Sequence, residues 1–151
     1  LLTSPVILPY PASPHLAAKL QNTAIPCENI TKATKMLEQK YDVVLVEGAG
    51  GLMVPITENF LTIDYIQQNN YLVILVTSGR LGSINHTILS LEALKNRNIK
   101  VDSLVYNTYP QTDACIEDET IQYLKNYIKS YFAETTFEII PEINIEPVIQ
   151  K

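Results

Sequence analysis

The sequence predicts an α/β protein of one domain, residues 1–151, with a parallel sheet flanked by helices in three layers. Three observations carry that expectation. Runs rich in β-branched and apolar residues recur about every thirty positions: Val43 to Val46, Leu72 to Thr77, Val101 to Tyr106 and Phe137 to Ile140. The segments between them place apolar residues on one helical face. All five glycines fall between residues 48 and 82, directly after two of the apolar runs, where strand-to-helix turns of such folds lie. With 151 residues, 46% hydrophobic and 18% charged, the chain can bury a core of its own.

Each element has a local reason. Leu1 to Pro14 holds four prolines and reads as extended loop. Ser13 before Pro14 marks an N-cap and first helical position, opening a short helix through Leu20. Glu28 to Lys40 repeats Ile30, Ala33 and Leu37 along one face, and a shorter helix is expected over Thr62 to Gln68. Ser83 to Arg97 carries Ile84, Ile88 and Leu91, and Asp118 to Phe132 carries Ile121, Leu124, Ile128 and Phe132. Strands alternating with helices at this spacing imply right-handed crossovers and a buried parallel sheet.

Charge and cysteine usage exclude several functions. Lys+Arg 11 against Asp+Glu 16 leaves a net charge of −5, and the scattered lysines offer no surface for a phosphate backbone, so no nucleic-acid partner is expected. The longest apolar run, Tyr71 to Val76, is too short to span a membrane. Cys27 and Cys115 form no paired framework, which points to a reducing, cytoplasmic setting. Leu1 is not an initiator, so the sequence reads as beginning within a longer frame.

Glycines at the carboxyl ends of parallel strands let backbone N–H groups approach an anion, and a helix start adds a favourable dipole. Gly48, Gly50 and Gly51 follow Val43 to Val46, while Gly79 and Gly82 follow Leu72 to Thr77. Tight turns alone would explain these clusters, but Glu47 changes the weighting. An acid ending a buried apolar strand is costly unless it meets a cation or donors, and nucleoside triphosphatases position a magnesium ligand in this way.

The segment Val43-Val44-Leu45-Val46-Glu47-Gly48-Ala49-Gly50-Gly51-Leu52-Met53-Val54-Pro55-Ile56 resembles the signature of the dethiobiotin synthase family. Pro11-Ala12-Ser13-Pro14-His15, Gly79-Arg80-Leu81-Gly82-Ser83-Ile84-Asn85-His86-Thr87 and Val105-Tyr106-Asn107 agree with it in order and spacing. The resemblance implies a P-loop NTPase-like fold and an enzyme that closes diaminopelargonic acid with CO2 into dethiobiotin, using ATP and Mg2+. It further implies Glu47 as magnesium ligand, with Gly48 beside it at the nucleotide, and Gly50 near the carbamate. Ser13 would contact the diamine, and Gly82, Ser83 and Asn85 the substrate's carboxylate tail. Asn107 would read the adenine edge, flanked by backbone at Pro141 and Ile143. The implied assembly is a homodimer, with Tyr123 the candidate for a side chain crossing to the partner's site.

No G-x-x-x-x-G-K-[ST] phosphate loop occurs in the sequence, and in the family that loop and its lysine are N-terminal. The chain therefore reads as the carboxyl-terminal part of a complete enzyme, inactive by itself. The alternative is a loop-less homologue that binds or regulates without catalysis. A partition-type ATPase would share the fold but needs a basic surface that is missing here. His15 and His86 have no metal-ligand spacing around them and are expected to form structural hydrogen bonds. Asn29-Ile30-Thr31 and Asn85-His86-Thr87 match glycosylation sequons by coincidence in a cytoplasmic protein.

Overall fold

The computed structural model describes residues 2–111 and 113–143. The chain divides into two compact units, Leu1–Asn69 and Asn70–Lys151. The first contains α1 (Pro14–Leu20), α2 (Cys27–Glu38), β1 (Pro55–Thr57), β2 (Phe60–Leu61) and α3 (Thr62–Gln68). The second contains β3 (Val73–Ser78), α4 (Ser83–Asn96), β4 (Val101–Asn107), α5 (Ala114–Tyr131) and β5 (Thr136–Ile140). Among the described residues, no helix is long and apolar enough to cross a membrane.

In the first unit small residues allow close packing. Ala17 and Ala18 of α1, Ala33 of α2, and Ile63 and Tyr65 of α3 are buried. The Thr31 hydroxyl meets the Tyr65 phenol at 2.9 Å and links α2 to α3. β1 and β2 form an antiparallel hairpin around Glu58 and Asn59, a feature the sequence reading does not anticipate. Its strands of three and two residues are too short to show alternation. Just after it, the Asp64 carboxylate accepts the Leu61 N–H at 2.8 Å and secures the start of α3.

Val43 to Val46 corrects the expected set of strands. The segment has no strand structure, and Val43 and Leu45 are 76% and 77% exposed. A strand is defined by its ladder, and none of the described residues pairs with this run. Glu47 is accordingly exposed at the end of an unpaired segment, not of a buried strand.

The second unit shows the α/β class directly. β3, β4 and β5 form a parallel sheet in that order, with helical crossovers, flanked by helices. Central β4 is the apolar strand that two neighbours require: Val101, Leu104, Val105 and Tyr106 are all buried. Leu104 and Tyr106 pack with Leu124 and Ile128 of α5, and Leu75, Phe132 and Phe137 close the cluster. The Thr77 and Thr87 hydroxyls join β3 to α4 at 2.7 Å. On the other face of β3, Ile74 and Val76 are exposed.

α5 begins at Ala114, one turn before the apolar periodicity suggests, because the Asp113 carboxylate accepts the N–H groups of Cys115 and Ile116. Tyr127 of α5 donates to Glu92 of α4 at 2.7 Å. Burial, then that hydrogen bond, pushes its phenol up to about 12. At the amino end of the sheet, Thr135 donates to the Val101 carbonyl at 2.8 Å.

Leu104 is fully buried in the centre of this core. Leu104→Ala is expected to lower unfolding free energy by roughly 2–5 kcal/mol, whereas Ile74→Ala on the exposed face should cost under about 1 kcal/mol. Urea unfolding checks the contrast, and equal losses would contradict this placement of the core.

Candidate functional site

Parallel register builds the carboxyl edge of the sheet. Ser78 pairs with Asn107, and Asn107 with Ile140, so the β3–α4 loop, the end of β4 and the end of β5 open on one row. The Thr108 N–H donates to the Ile140 carbonyl at 3.1 Å and carries the alignment one residue further. Asn107 and the Pro141 segment are therefore neighbours. Ile143 follows, exposed.

Asn107 is partly committed within the chain. Its Oδ1 accepts the Tyr109 N–H at 2.9 Å, which fixes the side chain and directs the amide nitrogen's hydrogens to other partners. Beside it lies a shallow cavity of about 300 Å³ lined by Thr108, Gln111, Ala114, Glu117 and Asp118. Gln111 also reaches Glu142 at 3.4 Å, joining the β4–α5 loop to the segment after β5. The Tyr106 hydroxyl is buried without a hydrogen-bond partner among the described residues. Burial first, and the Glu117 carboxylate second, raise its pKa. These lining residues have no signature in the sequence beyond following Asn107; their grouping comes from the turn into α5.

At the start of α4, Gly82 is the N-cap with φ +87°, a left-handed conformation that favours glycine. The Ser83 N–H donates to the Arg80 carbonyl and the His86 N–H to the Gly82 carbonyl, so a tight turn feeds directly into the helix. Ser83 is half-buried, Asn85 is exposed on the first turn, and Leu81 projects fully into solvent. Such a helix start favours negative charge. His86 is exposed beside it.

The first unit holds the other expected residues. Gly50 has φ +93°, and a Cβ there would lie 2.8 Å from Val54 Cγ2; one on Gly48 would lie 3.1 Å from Thr62 Cγ2. Val54 N–H to Gly51 O closes a turn within the loop, and Thr62 N–H to Val54 O and Ile63 N–H to Leu52 O tie it to the start of α3. Glu47 and Gly48 lie at its entrance, exposed. Ser13 occupies the expected N-cap position of α1, and Pro14 supplies the helical φ of the first turn, but the Ser13 side chain makes no capping hydrogen bond. The structural bond expected of His15 is not formed at Nδ1, which is buried without a partner among the described residues.

Comparison with known proteins defines the class first. A family model described as an AAA domain matches residues 1–149, which places the chain in a P-loop NTPase-like family. Within it, the chain is 49% identical over 144 residues to "ATP-dependent dethiobiotin synthetase BioD 2" of Pasteurella multocida, covering 95% of this chain and 68% of that protein. It is 60% identical over 111 residues to the protein of the same name from Haemophilus influenzae, covering 74% and 58%. It is 44% identical over 129 residues to "ATP-dependent dethiobiotin synthetase BioD" of Chlorobaculum tepidum, covering 85% and 54%. The chain belongs to the dethiobiotin synthetase family and spans between 54% and 68% of the length of these relatives.

The glycine loop yields a local test. Gly50→Ala places a Cβ at positive φ and against Val54, and is expected to lower stability by at least about 1 kcal/mol. Gly51→Ala meets nothing within 4 Å and is expected to stay within about 0.5 kcal/mol of the parent. Denaturant melts of the two variants check this, and indistinguishable midpoints would contradict the loop geometry.

Proposed function

We propose that residues 1–151 belong to one α/β domain of an enzyme that converts diaminopelargonic acid, CO2 and ATP into dethiobiotin in biotin synthesis. In this reading one amine is carboxylated to a carbamate, and ATP transfers its γ-phosphoryl group to the carbamate oxygen, releasing ADP. The second amine then attacks the mixed anhydride, closing the ureido ring and expelling phosphate. The protein's task is positioning and charge stabilisation.

The observation that supports it best is the row Ser78, Asn107 and Ile140 at the carboxyl edge of the sheet. At one end of that row the α4 start offers Gly82, Ser83 and Asn85 to a carboxylate tail. At the other, the Asn107 amide and the backbone of Pro141 and Ile143 are suited to the edge and face of a nucleobase. Gly48 and Gly50 bring backbone close to anionic groups, and Ser13 is assigned to the diamine.

Magnesium fits the donor chemistry of Glu47. Among the described residues no group of three or more His, Cys, Asp and Glu forms a metal cage. Mg2+ bound to a nucleotide needs only one or two protein carboxylates, the remaining ligands being phosphate oxygens and water. Glu47, exposed at the entrance to the glycine loop, is such a carboxylate. When bound, the ion neutralises phosphate charge during transfer. We further read the protein as a cytoplasmic homodimer without nucleic-acid or membrane partners. Tyr123, 46% exposed on α5, is assigned to the partner's substrate site.

Glu47→Gln in the full-length protein removes the metal-directed charge and keeps the side chain's shape. It is expected to lower ATP-dependent dethiobiotin formation by more than about a hundredfold, with an unchanged melting profile. A turnover within about tenfold of the parent would contradict the role given to Glu47.

A further inference from the structure

We propose that Thr77 and Thr87 are a positioning pair that holds the Ser78–Gly82 loop, and with it the start of α4, in the geometry that receives the substrate's carboxylate. The inference rests on the reading of Gly82, Ser83 and Asn85 as that carboxylate site. Neither threonine reaches the edge itself. Thr77 is 8% exposed and Thr87 is 4% exposed, with their hydroxyl oxygens 2.7 Å apart.

Their placement gives the bond its consequence. Thr77 lies in the ladder opposite Tyr106, one residue before the strand ends, and Thr87 lies one turn into α4 beyond Ser83. The bond therefore closes a ring around the whole connection from strand to helix. Inside the ring, the chain makes its left-handed step at Gly82, and Leu81 is wholly exposed, so apolar burial at the tip does little to fix the loop. Buried hydroxyls are costly unless paired, and a position needing only β-branched bulk is satisfied by valine. Two threonines that satisfy one another tie two backbone segments at a defined distance, which two valines cannot do.

The test uses Thr77→Val and Thr87→Val together in the full-length protein, since the double change leaves no orphaned hydroxyl and is expected to fold. Thr87→Ser, which keeps the hydroxyl, serves as the conservative control. In the double variant the amides of Arg80 to Asn85 should exchange with solvent roughly tenfold faster, with the melting temperature little changed. The apparent KM for diaminopelargonic acid should rise about three- to tenfold, while kcat and the KM for ATP stay within about twofold; Thr87→Ser should behave as the parent. Unchanged exchange and KM would overturn the proposal. Parallel losses in kcat and in the KM for ATP would also overturn it, as general loosening. If the parent forms no dethiobiotin, the functional reading fails by itself, and unchanged exchange in the double variant would still overturn the tether.

Discussion

The carboxyl-terminal unit depends on one constraint, the parallel ladder across β3, β4 and β5, which keeps one register from Ile74 to its carboxyl edge. A parallel ladder aligns strand ends, so a single register fixes where three loops emerge. With Ser78, Asn107 and Ile140 in one row, the loop into α4, the turn into α5 and the segment after β5 converge without side-chain contacts being needed to gather them. The apolar cost of that arrangement falls on β4, which is buried from Ser103 to Tyr106. Its sequence supplies Leu104, Val105 and Tyr106 for that purpose.

What the ladder sets coarsely, short polar contacts set finely. Asn107 is held by the Tyr109 N–H, α5 is started by the Asp113 carboxylate, and α4 is anchored through Thr87 to the strand that precedes it. The first two join residues two positions apart within the connection from β4 to α5, and the third closes the connection from β3 to α4 across ten positions. Such bonds are individually modest in stability, but they act where a shift of one ångström matters for recognition. The glycine loop of the first unit works differently. There the left-handed step at Gly50, one backbone bond within the loop and two onto the start of α3 define the shape.

The sequence revealed most where apolar periodicity and turn chemistry agree. Leu72 to Thr77, Ser83 to Arg97 and Val101 to Tyr106 appear as β3, α4 and β4 within a residue or two, and Ser13-Pro14 marks the start of α1. Periodicity misled at Val43 to Val46: composition reports a strand's suitability, whereas its existence depends on a partner elsewhere in the chain. The β1–β2 hairpin escaped because five residues carry too little pattern. Of the candidate site, Gly82 and Asn107 were legible as the residues that punctuate the ends of β3 and β4. The cavity wall of Gln111, Glu117 and Asp118 was not, because it arises from where Asp113 begins α5. Ser13 shows the limit of motif reasoning: its position was right and its hydrogen bond was not.

The central claim, that the carboxyl edge receives a nucleotide at Asn107 and a carboxylate at the start of α4, is tested most directly by amide chemical shifts in the isotopically labelled full-length protein. Titration with magnesium and ADP is expected to move the resonances of Asn107, Thr108, Ile140 and Glu142, and diaminopelargonic acid those of Gly82 to Asn85. Shifts confined to the amino end of the sheet, around Asn98 to Val101 and Glu134, or no shifts at either cluster, would contradict the account.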